Sequence, residues 1–146
     1  MKLSHADGQP MSISGTDGLD AQQLLDTAVR VYAIRRERDR IFGDLAALFR
    51  DPAWDIMIDL FIHSLSGKPA FVGGAAIASR IPGTTALRYI SHLVDAGLVE
   101  RRPDPLDGRR AQLSLTSRGT ALMRQALAPL AAALAHVDMP AESMNG

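Results

Sequence analysis

The sequence predicts a mostly α-helical fold with one small β-hairpin. Three observations carry this. Residues 74–96 hold two helical patterns joined by a Pro-Gly turn. Residues 98–115 hold two short strand patterns around a tip rich in Pro, Asp and Gly. Long apolar helical patterns lie on both sides of this stretch. The chain has 146 residues, 47% of them hydrophobic, which suits one globular domain.

Composition narrows the function classes. No apolar run approaches the roughly 18–20 residues needed to span a bilayer. Met1 to Gly18 lacks the apolar core of a signal peptide. No membrane partner is expected, and the expected location is the cytoplasm, at the nucleoid. The absence of cysteine excludes disulfides, thiolate nucleophiles and thiol redox sensing. His5, His63, His92 and His136 are scattered, so neither a metal site nor a cofactor is expected. Gly67-Lys68 lacks the upstream glycine of a phosphate loop. No nucleophile–base pairing stands out either, so the chain does not read as an enzyme.

Net charge is zero, with 16 basic and 16 acidic residues, but its distribution is uneven. From Arg80 to Arg118, seven arginines face four acidic residues, which leaves that segment net positive by three. Local positive charge matters more for nucleic-acid binding than the whole-chain sum.

Taken in order, residues 1–19 read as a disordered tail, rich in Gly, Ser and Asp. Asp20 to about Arg40 reads as a helix, with Leu24, Ala28, Val31 and Tyr32 on one face and Leu25 and Val29 beside it. Its charged end, Arg35 to Arg40, is either a solvated helix end or a flank that touches phosphate. Gly43 to Arg50 is a loop or a short helix. Asp51-Pro52 starts a new helix, with Asp51 as the cap and Pro52 in the first turn. Trp54, Met57, Ile58, Phe61 and Ile62 give it an apolar face, with Trp54 as a core anchor, and residues 66–69 end it.

A short helix follows at Gly74 to Arg80, and Ile81-Pro82-Gly83 is a turn, because Pro82 disfavours the helical region for Ile81. Gly83 or Thr84 caps the next helix, about 83–96, and Gly97 ends it. Ala86, Ile90, Leu93 and Val94 point into the core. Thr84, Arg88, Ser91, His92 and Asp95 point away. Short helix, tight turn and a second helix with a hydrogen-bonding outer face form a helix-turn-helix pattern. Such a helix fits the major groove and reads base edges from its N-terminal end. The plainer alternative is a helix with a solvated face.

Strand character returns at Leu98–Arg102 and Ala111–Leu115, and the hairpin between them, about 99–115 in all, carries Arg101, Arg102, Arg109 and Arg110. Guanidinium groups on a hairpin suit a phosphate backbone and a narrow minor groove. From Thr116 a final helix runs to Val137, with Met123, Leu127, Leu130, Leu134 and Val137 spaced as a 3.5-residue seam and Pro129 interrupting it. Such a seam pairs with a second copy or folds back on its own domain. Residues 138–146 read as a second tail.

The stretch "IPGTTALRYISHLVDAGLVERRPDPLDGRRAQLSLTSRG" resembles the MarR family of bacterial regulators in order and spacing. The most specific part is Asp107-Gly108-Arg109-Arg110 followed by Leu113-Ser114-Leu115-Thr116, which is similar to that family's wing. The likeness spans about 20–137 and is most specific at 77–119. It implies a winged helix-turn-helix with N- and C-terminal dimerisation helices. It also implies a sequence-specific regulator of double-stranded DNA, a repressor, acting as a homodimer on a pseudo-palindromic site. By resemblance Thr84, Thr85 and Arg88 lie in the major groove, with Ser91 and His92 nearby, Asp107 braces the wing, and Arg109 enters the minor groove. Segments 20–50 and 117–137 serve dimerisation through Leu24, Ala28, Tyr32, Met123, Leu127, Leu130 and Leu134, and 51–116 binds DNA. A small aromatic or lipophilic effector is a further partner, for which Tyr32, Trp54, Phe61 and His63 are weak pocket candidates. Departures are the Gly/Ala-rich "VGGAAIASR" and Leu87 on the reading side; the missing cysteine excludes peroxide sensing of the kind some relatives use. A winged helix used only for protein–protein contact is the alternative.

Overall fold

The computed structural model describes residues 20–137. The two predicted tails, 1–19 and 138–146, and the side chain of the last seam residue, Val137, lie outside the described residues. Helix α1 spans Ala21–Phe42. A 3₁₀ helix, Gly43–Phe49, leads into α2, Pro52–Ser66. Strand β1, Ala70–Phe71, runs directly into α3, Val72–Ser79, and the turn at Arg80–Pro82 leads to α4, Gly83–Asp95. Strands β2, Val99–Pro103, and β3, Ala111–Leu115, form the hairpin, and α5 spans Ser117–Val137. No helix among the described residues is long and apolar enough to cross a membrane.

The start of α1 is built locally. Asp20 accepts from the Gln23 amide at 2.8 Å, and the Gln23 side chain accepts from the Asp20 amide at 2.9 Å, a reciprocal cap. Two other predicted caps do not form. Asp51 makes no side-chain bond to α2, which relies on Pro52 in its first turn. Neither Gly83 nor Thr84 caps α4; Pro82 occupies that position.

The sheet holds one strand more than the sequence predicts. Its order is β1-β3-β2, all antiparallel, with Val99 opposite Leu115 and Ala70 opposite Leu113. Strand β1 escaped notice because two residues between a helix end and a helix start carry no alternation to detect. Its effect is large: it ties the wing to the start of the helix-turn-helix.

The core brings together Leu24 and Ala28 from α1, Ile56, Leu60 and Phe61 from α2, Ala75 from α3, Ile90 and Leu93 from α4, Val99 and Leu113 from the sheet, and Met123 and Leu127 from α5. This corrects the dimerisation set. Leu24, Ala28, Met123 and Leu127 are sealed inside their own chain, because α1 and α5 pack on each other and on α2. The seam of α5 is therefore half spent within the chain. Leu130, at 39% exposure, and half-buried Leu134 and Tyr32 keep an outward face.

Candidate nucleic-acid interface

Helix α4 is divided as its periodicity demands. Ala86, Ile90 and Leu93 are buried, while Thr84, Arg88, Ser91, His92 and Asp95 are exposed and Thr85 is half-buried. Leu87 stands 40% exposed on the outer side. The exposed set offers a hydroxyl at the first turn, a guanidinium one turn later, then a hydroxyl and an imidazole. Those groups can donate to or accept from base edges.

The end of α4 is held unusually firmly. The Leu98 amide donates to the Leu93 carbonyl and the Gly97 amide to Val94, with Gly97 at φ +77°. That is the Schellman arrangement for which glycine is favoured. The start of α5 then grips this terminus. Thr116 Oγ1 donates to the Gly97 carbonyl at 2.7 Å and accepts from the Gly119 amide at 3.0 Å; Arg118 donates to the Ala96 carbonyl at 2.8 Å. Gly119 packs so close that a methyl group there would collide with the Leu98 carbonyl oxygen.

The wing tip has two carboxylate braces, of which the sequence pointed to one. Asp107 Oδ1 accepts from both the Arg109 amide and Arg109 Nε at 3.1 Å. Those hydrogen bonds, side chain first, hold the Asp107 carboxyl below its ordinary range. The second is Asp104, buried at the base of the tip, which accepts from the Leu106 amide at 3.1 Å while its own amide donates to Arg110. An aspartate two residues before a turn amide is a common turn signal, and that signal was available at Asp104-Pro105-Leu106.

The wing arginines are not equivalent. Arg109 keeps 91% of its side chain in solvent, although it rests on Asp107 rather than pointing freely outward. Arg110 lies 3.7 Å above the Phe71 ring and 3.7 Å from Asp104 Oδ2, so it fastens the wing to β1. Arg102 is exposed but pairs with Glu100 at 3.2 Å. Arg101 and, on α4, Arg88 are exposed and have no ion-pair partner among the described residues.

A second arginine group lies behind this surface, where periodicity gave no hint of it. Arg35 Nε donates to Asp55 Oδ1 at 2.7 Å, and Asp55 is buried. Asp39 is met by Arg38 at 3.0 Å, Arg50 at 3.0 Å and Arg80 at 3.2 Å. Burial works to raise the Asp39 carboxyl, but the Arg38 hydrogen bond and the charges of Arg80, Arg38 and Arg50 outweigh it and hold it below its ordinary range. The reading of Arg35 to Arg40 as a solvated helix end thus holds for Arg36 and Arg40 and fails for Arg35 and Arg38, which reach inward.

The four pocket candidates do not form one site. Phe61 is fully buried, and Trp54 packs half-buried against the core. Tyr32 lies under Arg36, and His63 lines a small groove of ≈ 140 Å³ beside Leu60 and Lys68. Apolar grooves occur elsewhere. One of ≈ 480 Å³ is lined by Leu25, Val29 and Ile62 with Asp26 and Arg30, and one of ≈ 310 Å³ by Val31, Ile34, Leu130 and Leu134.

No protein-family model matches the chain. An HTH-type transcriptional regulator of Mycobacterium tuberculosis is 32% identical over 110 residues, covering 73% of this chain and 71% of the relative. A regulator of the same description from Mycobacterium leprae matches to the same extent. Among solved structures, S. aureus MepR in its DNA-binding conformation superposes with a TM-score of 0.51 at 17% identity, covering 80% of this chain and 84% of that one.

Proposed function

The chain belongs to the HTH-type transcriptional regulators, and from that premise we propose that it is a MarR-like winged-helix homodimeric repressor that reads a pseudo-palindromic duplex. In this reading α4 enters the major groove with Thr84, Thr85, Arg88, Ser91 and His92. The β2–β3 wing follows the backbone, with Arg109 at the minor groove and Arg101 on the phosphates. The observation that carries it is the exposed polar face of α4, whose other face is locked in the core.

Segments 20–50 and 117–137 supply the dimer. With Leu24, Ala28, Met123 and Leu127 committed internally, the contact falls to the groove of Val31, Ile34, Leu130 and Leu134. Ile34 is 68% exposed there, and a second copy would cover it. A small aromatic or lipophilic effector suits the ≈ 480 Å³ groove between α1 and α2, which is in the size range of ligand sites.

The test is selection of bound sequences from random duplex DNA by the purified protein, with light scattering for its mass. A twofold-symmetric motif and a dimer mass are expected. A motif without symmetry, or a stable monomer at micromolar concentration, overturns the dimer. No enrichment at all overturns specific reading and leaves a protein-interaction role for the wing.

A further inference from the structure

Arg80 is the only non-glycine residue at positive φ among the described residues, with φ +58° and ψ +31°. It sits at the C-cap of α3, the first residue of the turn into α4. At such a position glycine costs nothing, whereas a side chain adds strain. The strain is held by two carboxylates from two other helices. Arg80 Nε lies 3.2 Å from Asp39 Oδ2 on α1, and Nη2 lies 3.6 Å from Asp55 Oδ2 on α2.

This cluster is a poor device for stability alone. Arg80 Nε, Asp55 Oδ2 and Arg35 Nη2 are buried without a well-aligned hydrogen bond. Burying charges with incomplete partners costs nearly what the attraction returns, and apolar side chains of equal volume do as well. What apolar packing would not supply is a directed tie from the helix-turn-helix turn to α1 and α2 together.

We infer that Arg80 is a positioning residue, a latch through which Asp39 and Asp55 set the angle of α3 and α4 relative to α1. The inference rests on DNA reading by α4. Fixing the turn at its first residue presents Thr84 and Arg88 in a single orientation, and only a specific site rewards that orientation. Binding to arbitrary duplex depends on charge and tolerates a looser angle.

The test compares wild type, Arg80→Gly and Asp39→Asn on the duplex selected by wild type and on an unrelated duplex of equal length. Arg80→Gly relieves the strained backbone while cutting the tie, so the fold persists. We expect affinity for the selected duplex to fall about tenfold, with unrelated-duplex affinity and salt slope unchanged. Asp39→Asn gives the sharper result. It removes a negative charge, so if Arg80 merely contacted phosphate the variant would bind all DNA more tightly. The latch instead weakens binding to the selected site. Equal weakening of Arg80→Gly on both duplexes, with a slope smaller by about one, overturns the latch in favour of a phosphate contact. Hydrogen exchange of the DNA-free proteins gives a second readout that needs no operator. Faster exchange across residues 72–95 in Arg80→Gly, with α5 unchanged, is expected. Unchanged exchange there overturns the latch even if wild type selects no motif, an outcome that separately overturns DNA reading.

Discussion

Two groups of four arginines meet opposite fates in this molecule. Arg101, Arg102, Arg109 and Arg110 stand on the wing, more than half in solvent wherever they pair, and their carboxylate partners lie within a few residues on the same hairpin. Arg35, Arg38, Arg50 and Arg80 keep less than a third of their side chains exposed. They converge from α1, the segment before α2, and the turn after α3 on just two aspartates. The same side chain thus serves an outside partner in one place and the architecture in the other, and, apart from Arg38 beside its neighbour Asp39, what separates the uses is the sequence distance of the counter-charge. A nearby carboxylate braces a loop and leaves the guanidinium mostly hydrated. A carboxylate brought from another helix is worth burying only if the helices must meet in one way.

The comparison is easiest to break at its buried end. Asp55→Ala should cost about 3–5 kcal/mol, because it strands Arg35 without a counter-charge and leaves Arg80 with Asp39 alone. Urea unfolding measures it, and a loss under 1 kcal/mol would mean water replaces the carboxylate freely. Arg88→Ala should leave urea stability within about 0.5 kcal/mol while costing about 1–3 kcal/mol on the preferred duplex and relaxing preference at one base position. Equal weakening on every sequence would reduce Arg88 to a phosphate contact. Arg109→Ala should leave the melting temperature unchanged and lower the salt slope of DNA binding by about one unit. An unchanged affinity and slope would remove the wing from the interface. The smallest effect concerns acid. The Asp39 carboxyl is depressed in the fold, so its contribution is complete above the unfolded value near 3.9 and is lost as pH falls through the folded one. Stability of Asp39→Asn should therefore fall less steeply than wild type below about pH 4, and parallel curves would show that the guanidiniums do not hold that proton off.

The same contrast explains what the sequence disclosed. The face of α4 follows from residues three and four apart, and the wing from Pro, Asp and Gly between alternating strands. Both are local rules, and Thr84, Arg88, Asp107 and Arg109 lie on or near the surface they imply. The pairing of Arg80 with Asp39 has no local trace, since it exists only after α1, α2 and α3 have packed. The dimer set erred for a related reason. Periodicity identifies the apolar side of α5 but not the chain it meets, and Met123 and Leu127 meet their own α1 and α2. The aromatic pocket failed because Tyr32, Trp54, Phe61 and His63 share chemistry without sharing a cavity.

Gly119 has a mechanical consequence. With no side chain there, α5 begins in van der Waals contact with the backbone that leaves α4, and Thr116 and Arg118 bolt the two together. Those contacts join the far end of α4 and the start of α5 into one unit. The 21 residues of α5 make an arm of about 30 Å. Over that length a tilt of the joined pair by about 10° displaces the far tip by about 5 Å. A displacement of several ångströms at the outer end thus corresponds to a tilt of about 10° at the joined end of α4, and the bare glycine is what keeps the two helices on one angle.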